Sequence, residues 1–197
     1  MVTKDQLGAV LSLVSNAVGH SQWVVGGSAG LLLRGLVLDV SPRDLDLYAD
    51  EADALLIHQA LASYAIDRQE ESTTERYRSI LSHYEIGGLS VELVGGFEVR
   101  AGNSLYKLEV RELLLPLGLE VQVLEGEVCT VAPLAHELWF NLLRSREDRL
   151  RQISAAMAAD PASHLPAFKR IVQRNHLTPD QIESAYRWAS GWQEDKI

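Results

Sequence analysis

The sequence predicts an α/β (α+β) fold, a mixed sheet flanked by helices, with a C-terminal helical annex. Three observations predict it. Short runs of strand formers alternate with helix-like segments over the first 132 residues, glycine turns separate many of those runs, and the composition becomes helix-like from Pro133 onward. With 197 residues, 47% of them hydrophobic, the chain is long enough to bury one core carrying such an annex. The expected organisation is 1-132 as the α/β core and 133-197 as a helical annex packed on it.

Residues 3 to 20 suit an amphipathic helix: Thr3 and Gln6 make a capping-box pattern, Leu7, Val10, Leu11, Val14 and Val18 share one stripe, and Gly19 is the stop signal. Trp23-Val24-Val25 reads as a short strand ended by Gly26-Gly27, and Ser28 to Arg34 as a short helix closed by Gly35. After Pro42, Asp44-Leu45-Asp46-Leu47-Tyr48 is a strand running to Ala49. Asp50, Glu51 and Asp53 favour the start of a helix through Tyr64, because acidic side chains stabilise a helix N-terminus. Residues 66 to 75 are polar and read as a loop. Tyr77 to Ile86 and Leu89 to Val94 read as strands joined by a Gly87-Gly88 turn. Leu105 to Val110 is another strand, and Leu119 to Val131 a hairpin broken around Glu125-Gly126. Four helices follow, over Leu134 to Leu143, Glu147 to Ala158, Leu165 to Arg174 and Thr178 to Trp192, the last with a strong start at Thr178-Pro179-Asp180-Gln181.

The formal net charge is −9, from 18 basic and 27 acidic residues, and no lysine- or arginine-rich block occurs. Tight nonspecific binding to duplex nucleic acid is therefore not expected, although a small basic groove can exist on an acidic protein. The lone Cys129 can form neither an intramolecular disulfide nor a thiolate zinc site, which fits a reducing compartment; the apolar strand around it suits a buried thiol. The N-terminal stretch lacks the continuous apolar core of a signal peptide, and no run approaches the ~20 apolar residues of a membrane span. A cytoplasmic protein with no membrane partner is the expectation.

The candidate chemistry lies between Trp23 and Asp50. Strand residues two apart face the same way, so Asp44 and Asp46 point together while Leu45 and Leu47 point into the core. Two like charges on one face repel unless a cation or basic group sits between them, so the pair suggests a hard cation such as Mg²⁺. The bland alternative pairs Asp44 with Arg43 or Arg34 and leaves Asp46 solvated. Gly26, Gly27 and Ser28 would let a polyphosphate approach the backbone at a helix start, or would simply be a strand-to-helix turn with Ser28 as its cap. Neither the Walker pattern nor G-x-G-x-x-G is present. Glu92 is the one charge in Ser90-Val91-Glu92-Leu93-Val94; it joins the aspartates if that strand lies beside theirs, and otherwise decorates a wet sheet face.

His136-Glu137 lacks the second histidine of H-E-x-x-H, so a metalloprotease reading fails. Trp139, Trp188 and Trp192 suit helix packing better than base stacking.

Strand, Gly-Gly-Ser and helix, then Asp-x-Asp on a strand, then a later strand with a single carboxylate resembles the nucleotidyltransferase (DNA polymerase β-like) superfamily. The likeness is to its small bacterial minimal and antibiotic-type members and covers residues 22 to about 150. The stretch from Glu120 through Pro133 into the helix at Leu134 shares it. The resemblance implies a nucleotidyltransferase-like mixed sheet and transfer of a nucleoside monophosphate from a triphosphate such as ATP to a hydroxyl acceptor, with pyrophosphate released. It implies that Asp44, Asp46 and Glu92 are the catalytic carboxylates and hold Mg²⁺, Glu92 serving as third metal ligand or as base. It implies that Gly26, Gly27 and Ser28 bind the nucleotide phosphates. The acceptor could be a small molecule, an RNA end or a protein side chain, and a homodimer is compatible with the reading. One departure stands out: Asn141 occupies the position where many small members carry a phosphate-binding lysine, with Arg144 and Arg146 nearby. The alternative function is a non-catalytic nucleotide-binding or protein-partner module on the same fold, as in a toxin–antitoxin-like pair.

Overall fold

The computed structural model describes residues 2–189. Helix α1 (Lys4–Val18) starts at Thr3, whose hydroxyl accepts the Gln6 N–H at 3.2 Å, and its apolar stripe is buried as the spacing requires. The chain continues through β1 (Trp23–Gly26), α2 (Gly27–Leu33), β2 (Asp44–Ala49), α3 (Glu51–Ala60), β3 (Glu70–Thr73), β4 (Tyr77–Ile86), β5 (Leu89–Ala101) and β6 (Ser104–Lys107). The hairpin β7 (Leu119–Leu124) and β8 (Glu127–Val131) leads to helices α4 (Leu134–Leu143), α5 (Glu147–Ala159), α6 (Pro161–Arg174) and α7 (Pro179–Ala189).

The strands form one mixed eight-stranded sheet in the order β3-β4-β5-β2-β1-β8-β7, with β6 paired to β5 beside this path. Pairing is parallel for β2 with β5 and β1 with β8, and antiparallel elsewhere. Alternation along the strands gives the sheet two apolar faces. One face carries Val25, Leu45, Leu47, Val91 and Leu93 and buries them under α1 and α3. The other carries Val24, Tyr48 and Val94 and shares a core with Trp139, Phe168 and the helices from α4 onward. This is the mixed, helix-flanked sheet with a helical C-terminal region that the sequence predicts.

Several segments differ from the sequence reading, most because a partner elsewhere in the chain decides the local structure. Residues 70–73, expected in a loop, form the edge strand β3; all four are exposed, and only pairing with β4 makes them a strand. Strand β5 continues past Val94 to Ala101, because β4 and then β6 pair with it beyond Gly95-Gly96. The strand expected over Leu105 to Val110 stops at Lys107 and gives way to a π turn at Val110–Leu114. There the Asp50 carboxylate accepts the N–H groups of Val110 at 2.8 Å and Arg111 at 3.0 Å. Helix α6 starts at Pro161 instead of Leu165, with proline at its first turn where the missing N–H costs nothing. The expected continuation of α7 to Trp192, and that residue's packing, lie outside the described residues. Trp139 is fully buried 5.5 Å from the Phe168 ring, and Cys129 is buried, which raises its thiol to about 11.

Candidate active site

Three adjacent strands bring the predicted residues into one row. Gly26 of β1 is opposite Asp46 of β2, and Asp46 is opposite Glu92 of β5. The adjacency on which Glu92 depended is present, and in a parallel pair residues in register project from the same face. Asp44, Asp46 and Glu92 all line a cleft of about 460 Å³, between the sheet face on one side and α4 with the start of α5 on the other. Among the described residues, no three His, Cys, Asp or Glu side chains are gathered tightly enough to form a preassembled metal cluster.

Burial, then the charges of Asp44 and Glu92, raise Asp46 to about 7, and Arg144 works in the opposite sense. Burial also raises Glu92. Arg34 does not neutralise the pair: its guanidinium donates to the carbonyls of Ala132 at 3.0 Å and Val131 at 3.4 Å. The ion-pair alternative through Arg34 is therefore not the arrangement found. Glu92 instead faces His83 on β4, with Nε2 3.6 Å from Oε2. Asp67 holds that ring from the far side, accepting the His83 backbone N–H at 2.8 Å and hydrogen bonding to Nδ1.

The glycine turn has a steric explanation that the sequence did not disclose. A Cβ on Gly27 would lie 1.9 Å from Asp46 Oδ2, and a Cβ on Gly26 1.9 Å from the Tyr48 ring. Gly27 also has φ of +57°, a conformation that L side chains rarely adopt. The two glycines are thus the space that the cleft-facing side chains of β2 occupy. Gly27 and Ser28 line the cleft, whereas Gly26 lies under Tyr48 and is absent from the lining. Ser28 is the second residue of α2 and does not cap it; Gly26 is in the capping position. Among the described residues the Ser28 hydroxyl makes no hydrogen bond.

Helix α4 supplies residues that the sequence reading passed over. Glu137 is 2% exposed, and its Oε1 accepts the Gly27 N–H at 2.9 Å. Burial raises Glu137 to about 7, opposed by that hydrogen bond and reinforced by Asp46. Asn141 donates to the Glu137 carbonyl at 2.8 Å and reaches its carboxylate at 3.4 Å. The available signal was a carboxylate inside the apolar run Leu134-Ala135-His136-Glu137-Leu138-Trp139-Phe140, where an unpaired charge is costly and calls for a partner. Beyond Asn141, Arg144 lies over the Phe140 ring at 4.6 Å and the Tyr77 ring at 5.9 Å.

No protein-family model matches the chain, and no curated protein does. Among solved structures, it is similar to a Thermotoga maritima protein provisionally assigned to the nucleotidyltransferases. The TM-score is 0.62 at 22% identity, with 81% of this chain and 96% of that one covered. That likeness establishes a shared fold. ANT(2")-Ia in complex with adenylyl-2"-tobramycin matches over 98% of this chain and 100% of that one, at 14% identity and a TM-score of 0.46. Helicobacter pylori JHP933 matches over 98% and 84%, at 12% identity and 0.45. These two superpose too loosely to carry an argument.

Proposed function

We propose that the cleft binds a nucleoside triphosphate and transfers its nucleoside monophosphate to a hydroxyl acceptor, releasing pyrophosphate. The observation that carries this reading is the single row Gly26–Asp46–Glu92 across β1, β2 and β5, with Asp44 two residues away on the same face. The donor set fits a hard divalent cation: the carboxylates of three residues line one cleft, and burial together with the charges of Asp44 and Glu92 raises Asp46. Asp44, Asp46 and Glu92 would hold one or two Mg²⁺ ions, which would neutralise charge on the triphosphate.

The chain's own groups do the remaining work. Ser28, whose hydroxyl makes no hydrogen bond among the described residues, lines the cleft and would donate to the triphosphate. The Gly27 amide is already engaged by Glu137, so its role is to hold the turn open around Asp46. The acceptor oxygen would attack the α-phosphorus as the bond to the β-phosphate oxygen breaks. Such transfers depend on positioning and electrostatics and need no covalent nucleophile. Glu92, which has His83 3.6 Å behind it, would either complete the metal's carboxylates or take the acceptor's proton.

The test is to incubate the protein with Mg²⁺ and each labelled nucleoside triphosphate against a panel of hydroxylated acceptors. Label transfer that disappears in Asp46→Asn is the expected result. Transfer that persists undiminished in Asp46→Asn, or no transfer with any acceptor, refutes the catalytic reading. A second reading, a binding module without turnover, is favoured by Glu137 occupying the Gly27 amide and by Asn141 bonded back to Glu137. Thermal-shift titration separates the two. Stabilisation by triphosphate that needs Mg²⁺ and is lost in Asp44→Ala supports a working site.

A further inference from the structure

An anionic ligand entering a cleft lined with carboxylates needs a cation from the protein as well as from solution. Three arginines reach the cleft wall beyond Asn141: Arg144, Arg146 and Arg149. Arg146 is already committed, its guanidinium paired with Asp148 through Nε at 3.1 Å and Nη2 at 2.9 Å. Among the described residues, Arg144 pairs with no carboxylate. Its charge nonetheless acts on Asp46, Glu92 and Glu137 together, so it sits within electrostatic reach of the whole acidic row. The Phe140 and Tyr77 rings hold its flat face by cation–π contact, which leaves the N–H edge free to donate.

The backbone fixes the same group. Helix α4 ends in a six-residue C-cap in which Arg146 N–H donates to the Asn141 carbonyl at 2.9 Å and Ser145 N–H to the Leu142 carbonyl at 3.0 Å. Ser145 has φ of +58°, the one non-glycine residue with positive φ among those described. Ser145 thus takes the left-handed conformation that usually falls to glycine at a helix end, and Arg144, the residue before it, lines the cleft.

We propose that Arg144 is the specificity-determining residue for the triphosphate, its unpaired guanidinium donating to phosphate oxygens that a monophosphate lacks. This rests on the nucleotide-binding reading above. Asn141, beside Arg144 in the cleft, is uncharged and turns its amide back to the Glu137 carbonyl. A planar guanidinium is also better suited than an ammonium to two phosphate oxygens at once.

The experiment compares binding of Mg·ATP and AMP to purified wild-type protein, Arg144→Ala, Arg144→Lys and Arg146→Ala, by calorimetric titration without acceptor. Removing charge-assisted hydrogen bonds should weaken Mg·ATP roughly 10- to 100-fold in Arg144→Ala, and AMP less than about 3-fold. Arg144→Lys should fall between, and Arg146→Ala should stay within about 3-fold of wild type. Unfolding curves without ligand check that each variant is folded; if Arg144→Ala is not, the Arg144→Lys ratio of Mg·ATP to AMP affinity decides. Equal losses for Mg·ATP and AMP, or none for Mg·ATP, overturn the proposal. Unchanged Mg·ATP binding with a raised KM for the acceptor would assign Arg144 to the acceptor and also overturn it. If wild type binds no Mg-nucleoside triphosphate of any base, the nucleotide reading itself fails, a result distinct from any difference between variants.

Discussion

Gly27→Ala tests the site's construction without reference to any ligand. Two costs are expected. An alanine at φ of +57° costs about 1–2 kcal/mol in the left-handed region. Its methyl would also lie 1.9 Å from Asp46 Oδ2 and 2.9 Å from Asp46 Cγ, so the carboxylate or the strand beneath it must shift. Overpacking of that kind adds about 1–3 kcal/mol. Gly126→Ala provides the comparison, since Gly126 has φ of +78° and nothing within 4 Å of its Cβ position. It should carry the backbone cost alone, about 1–2 kcal/mol. The assay is urea denaturation followed by tryptophan fluorescence, with the slope checked for constancy. The overlap is isolated by the cycle of Gly27→Ala, Asp46→Ala and the double variant. Asp46→Ala removes the colliding oxygen, so the double variant should be at least about 1 kcal/mol more stable than additivity predicts. If Gly27→Ala and Gly126→Ala cost the same within ~0.5 kcal/mol and the cycle is additive, Asp46 does not lie against Gly27 and the row Gly26–Asp46–Glu92 is misplaced.

Other predictions follow from the same geometry. Asp46 and Glu137 are both raised to about 7, above their unfolded values of 3.8 and 4.5, so the folded state retains protons that the unfolded state releases. The associated stability is present below about pH 4 and lost as pH rises toward and through 7; denaturation midpoints across that range should fall, and Asp46→Asn should flatten the fall. A cation that requires the deprotonated carboxylates should act in the opposite sense, so Mg²⁺ should raise Tm more at pH 8 than at pH 5.5. Equal shifts at the two pH values would argue against carboxylate ligation. Glu137→Ala leaves the Gly27 N–H without its acceptor and should cost about 1–3 kcal/mol in chemical denaturation, whereas Glu137→Gln, which can still accept, should cost less. Phe168→Ala, removing a fully buried ring against Trp139, should cost about 3–5 kcal/mol; a loss under ~1 kcal/mol would show that α6 does not pack on α4 as described.

Much of this structure could be read from the sequence because its signals are local. The stripe from Leu7 to Val18 fixes α1 and the face it buries, and the Asp44–Tyr48 alternation fixes which side chains of β2 meet the cleft. Alternation also fixed the face of Glu92, but its neighbour is a matter of strand order, which no local pattern encodes. The adjacency came from the resemblance and was found in the β2–β5 register. What escaped depends on partners far along the chain. Strand β3 exists only through β4, and the turn at Val110 only through Asp50, 60 residues away. The glycine pair reads in the sequence as room for phosphate or as a plain turn, and neither reading reveals that Asp46 and Tyr48 lie where its Cβ atoms would be. Glu137 was set aside with a failed zinc motif because its bond to Gly27 spans 110 residues.

The distribution of ion pairs separates this cleft from ordinary acidic surface. Where a carboxylate is buried elsewhere in the protein, a basic side chain answers it. Asp53 receives two hydrogen bonds from Arg111, at 2.8 and 2.7 Å. Glu98 is held by Arg100 at 2.9 Å and Lys107 at 2.8 Å. Glu109, less deeply placed, is gripped by Arg174 at 2.6 and 2.7 Å. Among the described residues no lysine or arginine pairs with Asp44, Asp46, Glu92 or Glu137, although they share one cleft. Arg34, one of two guanidiniums close enough to act on Glu137, donates to the backbone carbonyls of Ala132 and Val131, and burial lowers it to about 10. Arg144 stands on the aromatic wall and, among the described residues, pairs with no carboxylate. A fold selected for stability alone would pair these groups or replace them, since uncompensated like charge is destabilising. Groups left in that state, with carboxylates on one wall and an unspent guanidinium on the other, mark a place where ligand completes the electrostatics. A divalent cation would answer the first wall and a polyphosphate the second, which is why a metal–nucleoside triphosphate complex, bringing both at once, is the ligand we propose.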